Sequence, residues 1–161
     1  TENSQDVWKN KYPYLSSVKD FDKNNPKFKW QKKFSNKELI NLFPKIGGLK
    51  NIEILNITST GRVKNVKLFG VNGSDQISGV DLRKRLSLNS NFVRFKFFEE
   101  EQNSNFPIKK GLIVFGQGSG HGVGMSQWGA KYMASKGQKA EKILKHFYSG
   151  VQIKPFRKDY L

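Results

Sequence analysis

The chain has 161 residues, of which 36% are hydrophobic and 13% aromatic, so it can bury a core and is not a disordered polypeptide. It has no cysteine, which excludes disulfides, thiolate metal sites and a cysteine nucleophile, and it has no apolar run near the length of a membrane span. Lys and Arg total 29 against 13 Asp and Glu, a formal net charge of +16, so the surface should attract polyanions: nucleic acid, anionic wall polymers or lipid headgroups. The lysines are scattered, with no arginine-rich helix and no RNA-binding aromatic motif, which argues against nucleic acid. The chain opens on Thr1 rather than Met, and no signal peptide is visible, as expected for a processed product or an excised fragment.

Residues 1–27 carry turn signals and little periodicity, and read as an irregular arm pinned by Trp8, Tyr12, Tyr14 and Leu15. A strand-rich core is expected over 28–115. Phe28–Gln31 alternates like a short strand, and Ser35-Asn-Lys-Glu38 is a capping-box pattern leading into a helix that ends near Pro44. Strands from Ile52 to Ile57 and from Arg62 to Phe69 flank Ser59-Thr60-Gly61, a connection that suits a hairpin. Asn72–Gly73 turns the chain into a brief strand at Gln76–Ile77, and Ser78 can cap a helix to about Leu86. Phe92–Phe98 reads as a strand, Glu99–Asn105 as a polar loop and Lys109–Phe115 as a returning strand. Residues 116–161 supply a glycine-rich loop and two helices, Ser126–Lys136 and about Lys139–Tyr148. There are no internal repeats. The expectation is an α+β fold with a mainly antiparallel sheet and helices gathered at the C-terminal end, in a single domain or the C-terminal portion of one.

The chemistry concentrates in Gly116-Gln-Gly-Ser-Gly-His121-Gly-Val-Gly-Met-Ser-Gln-Trp-Gly-Ala130. Alternating glycines would strip one side of an extended segment of its side chains, so that another molecule could lie flat against it. The glycine spacing does not fit the dinucleotide fingerprint, and the P-loop ending Gly-Lys-Ser/Thr is absent. His121, between glycines and close to a helix start, should be held neutral near pH 7 by the helix N-terminus and could exchange hydrogen bonds with a sugar hydroxyl. Ser126 can cap the helix or touch a ligand, Gln127 can bond hydroxyls or amides, and Trp128 falls on the Met125–Met133 face, which assigns it to the core. His146, near the end of the last helix, reads as structural. With two histidines and no cysteine, no metal or cofactor is expected.

Gly118–Ala130, followed by Met133-Ala134, Gly137 and Glu141–Gly150, closely resembles the C-terminal signature of the SpoIID/LytB family of sporulation proteins and amidase enhancers. Thr1-Glu2-Asn3 with Val7-Trp8 and Pro13-Tyr14-Leu15 looks like the segment after that family's Ser-Gly-Gly turn. Gly61-Arg62-Val63 and Ser78–Arg83 resemble two further family stretches. The resemblance implies export to the cell envelope or periplasm and, in the sporulation branch, a peptidoglycan lytic transglycosylase. In such an enzyme a glutamate protonates the glycosidic oxygen and the muramic acid's C6 hydroxyl displaces it. That glutamate belongs to an upstream Glu-Ala-Leu-Lys-Ala-Gln-type region, which residues 1–161 do not contain. The chain is therefore expected to bind peptidoglycan glycan strands through Gly118, Gly120, His121, Gly122, Ser126 and Gln127, with Glu2 lining the same cleft, and to be inactive alone. The alternative is a non-catalytic wall-binding factor that stimulates a cell-wall amidase. A basic nucleic-acid-binding domain is the third reading.

Overall fold

Side-chain caps and glycine turns set the boundaries of most elements. A computed structural model describes residues 1–8, 10–100 and 110–155. The loop expected at 101–105 and the strand start expected at Lys109 fall outside the described residues. These residues divide into two compact units: Thr1–Asn25 with Gly122–Leu161, and Pro26–His121.

The 26–121 unit carries two three-stranded sheets. In the first, β1 (Lys29–Phe34) and β5 (Val93–Glu99) flank β6 (Lys110–Gln117), in the order β1-β6-β5 and with both pairings antiparallel. In the second, β2 (Asn51–Ile57), β3 (Val63–Phe69) and β4 (Ser74–Ser78) follow one another as an antiparallel meander, with a bulge in β2 between Ile54 and Asn56. The central strands carry the most deeply buried residues of the two sheets. Leu112 and Val114 of β6, and Val66 and Leu68 of β3, have no exposed surface. The expected hairpin forms: Thr58 and Arg62 close it through Thr58 N–H to Arg62 O (2.8 Å).

Two helices complete this core. The N-cap of α2 (Asn36–Leu42) is Ser35, whose Oγ accepts from Glu38 N–H, while the Glu38 carboxylate accepts from Ser35 N–H (2.7 Å), the full capping box read from the sequence. Ser78 caps α3 (Gly79–Arg85) in the same manner, accepting from Asp81 N–H at 3.0 Å. Leu39 of α2 and Leu82 of α3 join Phe34, Phe43, Val63, Val66, Leu112 and Val114 in one apolar cluster.

The other unit has its own small core. The arm holds one helical turn, α1 (Ser4–Val7), and the chain end holds α4 (Gln127–Ser135) and α5 (Ala140–Phe147). Met133, Ile143 and Phe147 pack with Val18, Phe21 and Tyr148. His146 Nε2 lies 2.7 Å from the Lys19 carbonyl, so this nitrogen carries the proton and donates, and its ring stands edge-on to Phe147, which is the structural role expected of it. Among the described residues the six strands pair antiparallel, and with the helices they make an α+β fold. Among the described residues no helix is long and apolar enough to cross a membrane.

Candidate functional site

Within the 26–121 unit, β6 delivers the glycine loop. Gly116 lies opposite Trp30 across the β1–β6 ladder, and the indole occupies the space a Cβ would need. The same indole donates from Nε1 to Gly118 O (2.8 Å), and Gly118 N–H donates to Phe28 O (2.6 Å), so the loop leaves the sheet at a fixed point. Ser90, fully buried, donates to Gln117 O (2.6 Å), and Gly120 N–H bonds Asn89 O (2.8 Å).

Beyond Gln117 the backbone is not the flat extended track expected from the alternating glycines. Gly118, Gly120, Gly122 and Gly124 all have left-handed φ, between 65° and 84°. A side chain at any of these positions would meet its own backbone, so the alternation meets a backbone need: the chain winds, with every second residue in a region that L-residues avoid. The residues between them are displayed to differing degrees. Gly120 has open space where a Cβ would stand, Ser119 and His121 are exposed, and Gly118 is buried.

His121 thus presents its ring to solvent. Its pKa is lowered, first by partial desolvation and then by the positive charges of Arg83 and Arg62, which disfavour imidazolium. Arg62 lies against the loop, with Nη1 3.4 Å from Gly120 O and the guanidinium 5.9 Å from the Phe92 ring centroid. Arg62 and Arg83 were not picked out individually from the sequence. Their signal was present all the same, since each lies in a stretch that carries the family resemblance.

The other expected residues lie in the second unit. Glu2 is fully buried, and it is the Glu2 backbone that grips the loop: its N–H donates to Gly122 O (2.8 Å), and a parallel bridge pairs it with Val123. Ser126 is the N-cap of α4, accepting from Gly129 N–H at 3.0 Å. Gln127 is exposed. Trp128 departs from expectation: it is 37% exposed, with the Lys131 ammonium 4.8 Å from its ring centroid. The buried face of α4 runs through Gly129 and Met133, and a residue one position before Gly129 points about 100° away from it. Ser126→Ala should cost about 1 kcal/mol of stability in urea unfolding, and Ser126→Asp, which keeps an acceptor at the cap, should restore most of it.

The α+β class and a His-bearing glycine loop leading at once into a Ser-capped helix are as the sequence anticipated; the left-handed winding of the glycines is not. Over 95% of its length the chain is similar to named members of the SpoIID/LytB family. It is 36% identical over 155 residues to stage II sporulation protein D of Bacillus subtilis (strain 168), covering 95% of this chain and 41% of that protein. The protein of the same name from Bacillus amyloliquefaciens is 35% identical, with the same coverage. The amidase enhancer of Bacillus subtilis is more distant, 25% identical over 203 residues, covering 95% of this chain and 28% of the enhancer. No family model matches the chain. The chain spans about two fifths of the length of the sporulation proteins it matches.

Proposed function

We propose that this chain is the glycan-strand-binding portion of a SpoIID-like peptidoglycan lytic transglycosylase of the cell envelope, with the catalytic glutamate supplied from outside these 161 residues. The observation that carries the reading is the exposed imidazole of His121, kept neutral by its surroundings and set beside an open backbone at Gly120. A neutral ring donates through one nitrogen and accepts through the other, which suits sugar hydroxyls and acetamido groups. Gly120, with open space where a Cβ would stand, lets a pyranose approach the backbone at that point. In the other unit, Gly122, Ser126 and exposed Gln127 are the proposed contacts, and Trp128 adds an aromatic face on which a sugar can stack. Glu2 contributes by holding Gly122 and Val123.

The relation to an amidase enhancer supports a second reading, in which the chain holds the wall so that a cell-wall amidase can act, without cutting glycan itself. Incubation of this chain with purified sacculi tests both. The expected result is co-sedimentation with the wall and no anhydro-muropeptide in the supernatant by mass spectrometry. Release of anhydro-muropeptides would overturn the assignment of the acid to another segment, and failure to co-sediment would overturn glycan binding. Faster amidase digestion of the same sacculi in the presence of the chain would favour the enhancer reading.

A further inference from the structure

We infer that the C-terminal end of α3 forms an oxyanion-binding pocket, built by Arg83, Lys84 and the Ser87 hydroxyl, for a carboxylate or phosphate group. Helix α3 ends in a Schellman closure: Leu88 N–H donates to Arg83 O (2.9 Å) and Ser87 N–H to Lys84 O (3.0 Å). Helix α4 ends in the same closure, with Gln138 N–H to Met133 O and Gly137 N–H to Ala134 O. There the left-handed position is filled by Gly137 (φ 77°), the residue that adopts this conformation without penalty. In α3 it is filled by Ser87 (φ 49°), the one non-glycine with positive φ among the described residues. Packing does not explain the serine, since its side chain is exposed and makes no hydrogen bond to another described residue.

The surroundings explain it better. An open pocket of about 420 Å³ is lined by Val80, Arg83, Lys84, Ser87 and Leu88. Arg83 uses Nε to bond Leu88 O (3.2 Å), which fixes the guanidinium and leaves its outer nitrogens as donors. Among the described residues neither Arg83 nor Lys84 has a carboxylate partner. Two carbonyls just past the helix end, which would repel an anion, are covered: Lys32 Nζ donates to Leu86 O (3.1 Å) and Ser87 O (2.9 Å). A forked donor, an ammonium and a hydroxyl converging on one open pocket are the donor set that binds a single oxyanion. Val80 and Leu88 give it an apolar wall, fitting an anionic group borne on a short aliphatic stem. An anion held by Arg83 would also offset the positive charge that Arg83 exerts on His121.

The test is an NMR titration of the intact chain with sodium acetate and, separately, inorganic phosphate, each against sodium chloride at matched ionic strength. The expected result is saturable shifts at the Ser87 and Leu88 amides, with a Kd on the order of millimolar for so small a ligand, and a rise in the pH midpoint of the His121 ring. The tighter of the two probes identifies the group as a carboxylate or a phosphate. Arg83→Gln and Lys84→Gln should each weaken binding about tenfold. Ser87→Gly should weaken it several-fold while raising Tm, so a fold defect cannot account for the loss. Shifts that match those of chloride, or that survive in all three variants, would overturn the pocket. Neutral N-acetylglucosamine oligomers, run in parallel, report on the glycan reading alone, so the two proposals fail separately.

Discussion

Gly116→Ala should destabilise the protein by about 2–4 kcal/mol, the sum of an overpacked cross-strand pair and a lost, partly buried hydrogen bond. A methyl at this position collides with the six-membered ring of Trp30, and the strand cannot yield because β6 is paired on both sides. The indole must therefore leave, and with it goes the Nε1 bond to Gly118 O that sets where the loop begins. Urea unfolding gives the magnitude. The mechanism is tested by a double-mutant cycle with Trp30→Ala: once the ring is gone, Gly116→Ala should cost well under half as much. Additive effects of the two substitutions would show that the collision is not the cause.

His121→Ala should lower sacculus binding about tenfold at pH 7 and change stability by less than about 0.5 kcal/mol, as expected for an exposed side chain. His121→Gln, which retains a neutral donor and acceptor, should keep part of the affinity. The pH dependence has a definite sign. The folded-state pKa lies below the ordinary histidine value of 6.5. The ring's contribution to stability is therefore complete above about 6.5 and is lost as pH falls from there through the lower folded-state value. Wild-type binding should weaken over the same window, as the ring loses its acceptor, whereas His121→Ala should be flat there. If instead binding strengthens on acidification and His121→Ala binds as well as wild type, the attraction comes from the net charge of +16, and the imidazole has no part in it.

Much of the local structure was legible because its causes lie within three or four residues of one another. Ser35 with Glu38, Ser78 with Asp81 and Ser126 with Gly129 are caps that any chain containing them can form, and all three open helices. The hairpin at Thr58–Arg62 and the turn at Asn72–Gly73 are of the same kind. Trp128 was misassigned for a related reason. Apolar spacing fixes a helical face only when the buried position is known, and α4 buries Gly129, a residue with no hydrophobic signal, against Phe147 and Asp20. The glycine track was misread as extended because glycine removes the side-chain preference by which a sequence reports its own backbone conformation.

The sequence by itself determined the α+β class, the positions of the caps and turns, the family resemblance and the placing of His121 among glycines, since each follows from residue identity or short spacing. Only the tertiary structure decided that β6 runs between β1 and β5, that the glycines wind left-handed, and that Arg62 and Arg83 set the charge around the His121 ring. Those outcomes depend on strand pairing and on electrostatics between residues distant in the chain, where proximity is created by folding and leaves no local pattern to read.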